Sequence, residues 1–261
     1  MDSGATSSRL LVAGDPDPVL VLNAGAPSAF VLLGDHAGRQ IPRRLDQLGL
    51  TKAALERHIA WDIGIAGLGA RLSVLLDAPF IRQVYSRLVI DCNRFPGAEG
   101  SVPEVSDAIQ VPGNRSLSPQ AIAARIAEIY QPYQDAIGKV LDARAGQRTV
   151  VVALHSFTPS MQGQGRPWRL GVLHRNDSAF SSAILARLQA DLGEALVGDN
   201  APYAMDETDN TIPLHADPRG LDYLELEVRQ DLLAGDAAQE AMARWLVPHL
   251  HAALDATNMS E

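Results

Sequence analysis

The stretch Thr149-Val150-Val151-Val152-Ala153-Leu154 is the strongest signal of a buried strand in the chain. A continuous apolar run of this length is typical of a strand in a sheet that helices cover on both faces. Shorter apolar runs that predict further strands lie at residues 19–22, 30–33, 79–81, 88–90 and 170–173. Helical apolar spacing lies between them, at residues 51–76, 118–145, 179–192 and 239–253. Strands that alternate with helices predict an α/β fold with a sheet covered on both faces.

The composition is that of a globular protein with a sizeable core. The chain has 261 residues, of which 46% are hydrophobic and 20% are charged. We predict a flexible segment over residues 1–16 and a single domain over residues 17–255. Polar stretches at residues 95–117, 156–168 and 199–220 predict three long loops. Loops of that length in compact domains are more often functional than idle.

Charge and cysteine content argue against several classes of function. The net charge of −9 and the aromatic content of 5% argue against a nucleic-acid binder, since such proteins carry a basic patch or aromatic stacking residues. Cys92 is the only cysteine in the sequence, so an intrachain disulfide and a thiolate metal cluster are both excluded. That composition fits a cytoplasmic protein. No apolar run approaches the roughly 20 residues that span a bilayer, so we expect no membrane partner.

Two histidines stand directly after predicted buried strands. His36 comes shortly after the strand at 30–33, and His155 follows the strand that ends at Leu154. In open α/β sheets the carboxyl ends of the strands form the ligand-binding edge, so both imidazoles are candidates for one site. Histidine with carboxylate is the ligand set of a catalytic zinc ion. The alternative is that each histidine is satisfied by backbone at a strand end.

Two carboxylates could complete such a site. Asp62 interrupts an apolar stretch of the predicted helix, and it could be a ligand or an exposed carboxylate on a helix face. Asp35 could be a ligand itself, or it could orient the neighbouring His36. Among the other histidines, we predict surface positions for His58, His249 and His251, and we leave His174 and His215 open.

The run Ser86-Arg87-Leu88-Val89-Ile90-Asp91-Cys92-Asn93-Arg94 places two arginines and an asparagine around a predicted buried strand. Arginine holds planar carboxylates in bidentate geometry, so the run could form an anion cradle for a carboxylate substrate. Structural arginine–aspartate bridges are the alternative. We predict that Cys92 is a buried small apolar residue rather than a nucleophile.

In the stretch from Leu224 to Asp231, apolar residues alternate with Glu225, Glu227 and Arg229. Strict alternation predicts a half-buried strand with its charges together on one face. Either glutamate is a candidate general base, because burial and neighbouring charge can tune the pKa of a carboxyl group for that role. Arg229 could favour an ionised partner or contact an anionic substrate. A solvated strand face is the alternative.

Taken in order, these motifs resemble the N-formylglutamate amidohydrolase family, which is similar to zinc carboxypeptidases and aspartoacylases in fold and chemistry. The resemblance covers residues 30–232, and its most specific pieces are the run at 86–94 and Glu227-Val228-Arg229-Gln230-Asp231. The other motifs are Gly34-Asp35-His36-Ala37-Gly38, Asp62-Ile63-Gly64, Leu154-His155-Ser156-Phe157 and Asn200-Ala201-Pro202-Tyr203.

The resemblance implies a three-layer α/β/α sandwich with a mixed, largely parallel sheet. The implied activity is hydrolysis of the formamide bond of N-formyl-L-glutamate to formate and L-glutamate. One zinc ion per chain, or another divalent metal, would be held by His36, Asp62 and His155. Glu227 would be the base that takes a proton from the attacking water. The His-x-x-Glu ligand pair of carboxypeptidases is absent, since Arg39 occupies the place of the glutamate.

The resemblance also implies a small carboxylate substrate. Arg87, Asn93 and Arg94 would hold its carboxylates, and one of the arginines would stabilise the developing oxyanion. Further candidate contacts to the substrate are Asn200, Tyr203, His215 and Arg229. Two alternatives stay open, namely a related metallohydrolase of another N-acyl amino acid or peptide terminus, and a non-catalytic binder of dicarboxylates. The sequence gives no oligomeric state.

Overall fold

The computed structural model describes residues 9–175 and 178–258. Residues 1–8 of the segment expected to be flexible lie outside the described residues. In the remainder of that segment, the backbone amides of Leu10 and Leu11 donate to the carboxylate of Glu128, at 2.6 and 3.0 Å.

The strands and helices follow the predicted alternation. The strands are β1 (Val19–Leu22), β2 (Phe30–Gly34), β3 (Phe80–Gln83), β4 (Val105–Ser106), β5 (Ile109–Gln110), β6 (Val150–Phe157), β7 (Ser160–Met161), β8 (Gln164–Gly165), β9 (Leu170–Leu173), β10 (Val197–Asp199) and β11 (Asp222–Arg229). The helices are α1 (Lys52–Leu55), α2 (Ile65–Leu75), α3 (Pro119–Arg125), α4 (Gln131–Asp142), α5 (Ala179–Leu192), α6 (Thr211–His215) and α7 (Gly235–Asn258). Within the described ranges, no helix is long and apolar enough to cross a membrane.

The central sheet has the strand order β1-β3-β2-β6-β11-β9-β10. Strands β3, β2, β6 and β11 are mutually parallel, whereas β1 and β9 run antiparallel to their neighbours β3 and β11. Helices α2, α5 and α7 pack on one face, and the segment from α3 to α4 together with α6 packs on the other. The expected three-layer sandwich with a mixed, largely parallel sheet is therefore confirmed.

Strand β6 occupies the middle of this sheet, as its apolar sequence predicts. All eight of its residues are buried. Val150, Val152 and Leu154 join the core on the α2–α5–α7 side, while Val151 and Ala153 join the opposite core. Because both faces are covered, the strand needs a continuous apolar run rather than alternation.

The helix predicted over residues 51–76 is wrong as one element. It is divided into α1 and α2, and the turn between them contains His58 and Asp62. Gly64 precedes α2 with a φ of 89°, a conformation that favours glycine and that ends the helical pattern. Asp62 is therefore not on a helix face, and its side chain is aimed by a turn.

The strand predicted at residues 88–90 is also wrong. These residues form a buried turn beyond the end of β3, and their carbonyl groups bond to side chains instead of a strand. Asn114 Nδ2 donates to the carbonyl of Leu88 at 2.8 Å, and Arg125 Nη1 donates to the carbonyl of Val89 at 2.9 Å. The apolar run is buried because it fills the core, which periodicity cannot distinguish from a strand.

Strand β11 is buried on both faces rather than half-buried. It lies between β6 and β9. Leu224, Leu226 and Val228 face the α2–α5–α7 core, so Glu225 and Glu227 project from the opposite face. The predicted alternation is correct, but its charged face points into the protein.

We predict that Arg125→Met destabilises the fold by about 2–4 kcal/mol, because two buried acceptors lose a charged donor. Arg125 is 1% exposed, and its guanidinium bonds to the carbonyl of Val89 and to Asn114 Oδ1. Urea unfolding would measure the change. The exposed Arg115→Met should cost less than about 0.5 kcal/mol. Equal stabilities of the two variants would contradict this role of Arg125.

We predict that His215 makes the fold less stable as the pH falls below 6.5. Burial, aided by Arg219 and opposed by Asp35 and Asp142, lowers the pKa of His215 to about 4. The unfolded chain therefore binds a proton between pH 6.5 and 4 that the folded chain excludes, so the loss begins below 6.5 and is complete near 4. At pH 5.0 it should reach about 2 kcal/mol relative to pH 7.5.

Urea unfolding of His215→Gln at both pH values tests this assignment. The variant should lose that part of the pH dependence, because glutamine does not titrate. His251→Gln, at an exposed position on α7, should keep the wild-type dependence. An unchanged pH dependence in His215→Gln would refute the prediction.

Candidate metal and hydrolase site

A cavity of about 440 Å³ opens beyond the carboxyl ends of β2, β6 and β11. This is the edge at which open α/β sheets bind ligands. Its lining contains His36, Asp62 and His155, which are all buried, and one ligand atom from each lies within 4.8 Å of the others. The sequence placed these three residues on separate segments, and the fold brings them together.

Asp62 Oδ2 is the atom that both imidazoles share. It lies 3.1 Å from His155 Nδ1 and 3.5 Å from His36 Nδ1. The backbone amide of Ser156 also donates to this oxygen, at 3.2 Å. The backbone amide of Asp62 in turn donates to the carbonyl of His36 at 2.9 Å. The turn before α2 is thus fixed to the ends of β2 and β6.

A second carboxylate holds the far side of each imidazole. His36 Nε2 lies 2.7 Å from Asp91 Oδ1, and His155 Nε2 lies 3.3 Å from Asp35 Oδ2. Such carboxylate–histidine pairs orient metal-ligating imidazoles and leave the other ring nitrogen free for the metal. Asp35 therefore supports the ring of His155 rather than that of its neighbour His36.

The donor set fits a divalent metal ion. His36 Nδ1 is buried and has no hydrogen-bond partner among the described residues. In a tetrahedral site with bonds near 2.1 Å, ligand atoms lie about 3.4 Å apart. This is close to the 3.1 and 3.5 Å that separate Asp62 Oδ2 from the two imidazole nitrogens. Two imidazole nitrogens and one carboxylate oxygen are the ligand types of zinc hydrolases. The His36–Asp62–His155 cluster could therefore hold a metal ion.

The buried carboxylates of this cluster favour positive charge in their surroundings. Burial alone would raise the pKa of Asp62, but His36 and His155 hold it well below its usual range. Burial lowers the pKa of His155, yet its contacts with Asp35 and Asp62 raise it well above the ordinary value. The pKa of Asp91 is likewise lowered against burial, chiefly by Arg87 and His36. A bound dication would supply the positive charge that these carboxylates favour.

Gly38 fixes the backbone that carries His36. A Cβ atom at this position would lie 2.2 Å from the carbonyl carbon of Val84, so only glycine allows this approach. The amide of Gln40 donates to the carbonyl of Val84 at 3.1 Å, and the amide of Ser86 donates to the carbonyl of Gln40 at 2.9 Å. The Gly34–Gly38 motif therefore joins the metal cluster to the segment that carries Arg87.

Glu225 and Glu227 line the same cavity and are 3% and 6% exposed. Glu227 is paired in register with His155 on the neighbouring strand. Burial, partly offset by His155, raises the pKa of Glu227 to about 7 and that of Glu225 to about 8. Each has one buried carboxyl oxygen without a hydrogen-bond partner in the described part of the chain. Both are able to exchange protons near neutral pH, and Glu227 is in register with the histidine of the metal cluster.

Arg87 and Arg94 lie on one wall of the cavity and share Asp91. Arg87 Nη2 donates to Asp91 Oδ2 at 2.6 Å, and its Nη1 lies 3.5 Å from Asp62 Oδ1. Arg94 Nε lies 3.8 Å from the same oxygen of Asp91. Both side chains are about a third exposed, at 30% and 34%. Each therefore keeps donors free towards the cavity, and Arg87 reaches the metal cluster.

The side chain of Asn93 lines the cavity but also anchors the loop at residues 199–220. Its Oδ1 accepts from the amides of Asn210 and Thr211 at 3.2 and 2.9 Å, and its Nδ2 donates to Asp209 at 3.3 Å. Thr211 Oγ1 then donates to Asp35 at 2.6 Å. Asn93 thus connects this loop to the site, and most of its hydrogen-bonding capacity is used there.

The remaining substrate candidates divide by position. Tyr203 lines the cavity, whereas Asn200, His215 and Arg229 are not part of its lining. Asn200 Oδ1 accepts from the amide of His174, and His215 Nε2 bonds to Gln134 on α4. Arg229 donates to Asp231 at 2.8 Å. Contact of these three residues with substrate stays a prediction that the geometry of the cavity does not support.

The other histidines are placed as follows. His58 lines the cavity and lies 3.4 Å from Asp107, so it is not a simple surface residue. His174 is buried beside Asp199, at 2.9 Å. His249 lies 3.5 Å from Asp191, and His251 is exposed. Cys92 is fully buried, and burial raises the pKa of its thiol well above the ordinary value.

The sequence predicts Asp91 only as a partner in structural arginine–aspartate bridges, which it does form with Arg87 and Arg94, and it assigns no role to Asp209 or Thr211. Asp91 lies within the quoted run at 86–94, and its position between two arginines was the available signal. Asp209 and Thr211 lie in a loop without periodicity, so only the fold brings them to Asn93 and Asp35.

Comparison with known proteins identifies the family of the chain. The sequence model of the N-formylglutamate amidohydrolase family matches residues 28–234. A structurally solved gene product of Agrobacterium tumefaciens is 35% identical with a TM-score of 0.91, and the match covers 96% of this chain and 100% of that one. The N-formylglutamate amidohydrolase of Ralstonia eutropha is 19% identical with a TM-score of 0.70, over 91% and 97% of the two chains, and it bears on the fold alone. A search of curated proteins found no match. Because the family match covers most of the chain, the protein belongs to the N-formylglutamate amidohydrolase family of amide-cleaving hydrolases.

Proposed function

We propose that the protein is a metal-dependent hydrolase that converts N-formyl-L-glutamate to formate and L-glutamate. The buried His36–Asp62–His155 cluster, with Glu227 on the adjacent strand, is the observation that supports the reaction type. Membership of the family supports the substrate. Zinc, one ion per chain, is the metal that this ligand set favours.

The cluster and Glu227 divide the chemistry between them. When bound by His36, Asp62 and His155, a divalent metal would polarise the formyl carbonyl and make the attacking water more acidic. Glu227 accepts a proton from this water as its oxygen adds to the formyl carbon. Glu227 then returns the proton to the amide nitrogen, the C–N bond breaks, and formate and the free amine leave.

Arg87 would stabilise the oxyanion of the tetrahedral intermediate. Its Nη1 lies 3.5 Å from Asp62 Oδ1, so the guanidinium lies beside the metal cluster. A donor of this kind typically contributes about 3 kcal/mol to the stability of the transition state. Arg94 on the same wall would hold a substrate carboxylate, and Asn93 would keep that wall and the loop at 199–220 in place.

Formate release from N-formyl-L-glutamate by metal-loaded protein tests the proposal directly. Removal of the metal with a chelator should abolish the release, and added Zn²⁺ should restore it. Undiminished activity in metal-free protein would contradict metal dependence. A cytoplasmic location, which the single cysteine suggests, stays a prediction.

We predict that His155→Ala loses the bound metal while the fold is kept, because one of three ligands is removed at the carboxyl end of β6. Metal content after dialysis would measure this loss, with circular dichroism as the control for folding. His58→Ala is the matched variant, since His58 lines the same cavity but lies outside the cluster, and it should retain the metal. Equal metal content in both variants would exclude His155 as a ligand.

We predict that Glu227→Gln keeps the metal and lowers kcat by about 10²–10⁴-fold, the range expected for loss of a general base. Glu225→Gln is the matched variant on the same strand face, and it should lower kcat by less than about 10-fold if Glu225 has only a supporting role. The kcat for formate release from the two variants decides between the glutamates. A larger loss in Glu225→Gln would transfer the role of base to Glu225.

A further inference from the structure

Arg166 differs from the two arginines that line the cavity, because no carboxylate among the described residues pairs with it. Arg87 and Arg94 are both paired with Asp91. Among the described residues, by contrast, Arg166 forms no ion pair, and its guanidinium bonds only to neutral groups. These are the hydroxyl oxygens of Tyr203 and Thr158, at 2.9 and 3.4 Å, and the sulfur of Met161 at 3.1 Å.

The guanidinium of Arg166 is nevertheless held in one place. Its Cζ lies 4.8 Å from the ring centre of Tyr203 and 5.8 Å from that of Phe157, so it contacts two aromatic faces. The amide of Arg166 donates to the carbonyl of Pro159 at 2.8 Å. Arginine stacked in this way loses little further freedom when an anion binds. These contacts therefore hold the guanidinium of Arg166 in a fixed position in which it could bind an anion.

This cation lies beside the cavity, although its own side chain is not part of the lining. Phe157, Thr158, Met161 and Tyr203, the four residues whose side chains contact the guanidinium, all line it. The Tyr203 oxygen accepts from Arg166, and its own proton is donated to the sulfur of Met161 at 3.9 Å, a weak acceptor that a carboxylate oxygen would replace. An N–H donor and an O–H donor thus meet at this rim, and such a pair suits the two oxygens of a carboxylate.

The charge balance of the cavity suggests what Arg166 and Tyr203 could bind. Carboxylates outnumber arginines in the lining, which includes Asp107, Asp206, Asp209, Glu225 and Glu227 in addition to Asp62 and Asp91. A substrate with two carboxylates would be repelled unless each one met a cation. Arg94 with Arg87 provides one such position, on the wall next to the metal cluster. Arg166 provides another, on a different segment.

We propose that Arg166 and Tyr203 bind the side-chain carboxylate of the substrate, and so make the site selective for N-formyl amino acids with an acidic side chain. This inference rests on the proposed function. The α-carboxylate of the substrate is close to the scissile amide, so it would bind at the wall formed by Arg87 and Arg94, which lies next to Asp62. The more distant carboxylate reaches the rim.

The experiment compares N-formyl-L-glutamate with N-formyl-L-glutamine, which has a neutral side chain of the same shape. Arg166→Met keeps an unbranched apolar stem over the rings and removes the charge. It should raise KM for N-formylglutamate about 10–100-fold, the loss expected for a charge-assisted hydrogen bond, with kcat changed less than about threefold. KM for N-formylglutamine should change less than about threefold. Arg166→Lys should recover part of the loss, because the charge is restored without the planar pair of donors.

Arg169→Met is the matched control, since Arg169 lies three positions along the chain and lines a different groove, with Trp245 and Met242. This variant should leave kcat and KM unchanged for both substrates. An equal change of KM for the two substrates in Arg166→Met, or no change for either, would overturn the assignment.

A binding measurement separates this inference from the proposed function. If the wild-type protein releases formate from neither substrate, the proposed hydrolysis fails, and calorimetry with L-glutamate and L-glutamine then decides the role of Arg166. Arg166→Met should weaken the binding of glutamate about 10-fold or more and leave that of glutamine unchanged. Equal binding of glutamate by Arg166→Met and wild type would overturn the inference.

Discussion

The site depends on one buried oxygen, Asp62 Oδ2, which lies between the Nδ1 atoms of His36 and His155. A carboxylate taken out of water is costly unless charged or hydrogen-bonding partners surround it. Here the partners come from the ends of two neighbouring strands, and each imidazole is supported from behind by a further carboxylate. The ends of β2 and β6, the turn before α2 and the buried turn at 86–94 must therefore all be in position before the charge of Asp62 is stabilised. The same requirement leaves two imidazole nitrogens directed at one point.

The mixed sheet then places the reacting groups around that point. Strand β11 runs parallel to β6, so Glu227 falls in register with His155, and its burial between β6 and β9 brings its pKa to about 7. The turn at 86–94 brings Arg87 against Asp62 from the other side. A carboxylate that can accept a proton and a guanidinium that can donate hydrogen bonds to an anion thus flank the cluster. Glu227 and Arg87 lie in different motifs that are far apart in the sequence.

The sequence predicted those parts of the protein in which local pattern and tertiary role agree. The apolar run of β6 requires burial on both faces, and the histidines at the ends of β2 and β6 follow from the strand-end rule. Pattern failed where burial did not come from a sheet or a helix. Residues 88–90 are apolar because they fill the core as a turn that Asn114 and Arg125 hold. At residues 51–76 the apolar spacing of a helix continues past Gly64, although the helix itself is interrupted there. The contact of Asp91 with His36 and that of Arg166 with Tyr203 were not predictable, since the two residues of each pair lie far apart in the sequence.

The proposed reaction requires that His36, Asp62 and His155 together hold one divalent metal ion. Crystals of the protein grown with stoichiometric Zn²⁺ and measured at the zinc absorption edge test this claim most directly. We expect one anomalous peak, in contact with His36 Nδ1, His155 Nδ1 and the carboxylate of Asp62. A peak elsewhere in the cavity, such as between Glu225 and Asp209, or no peak at this position, would contradict it.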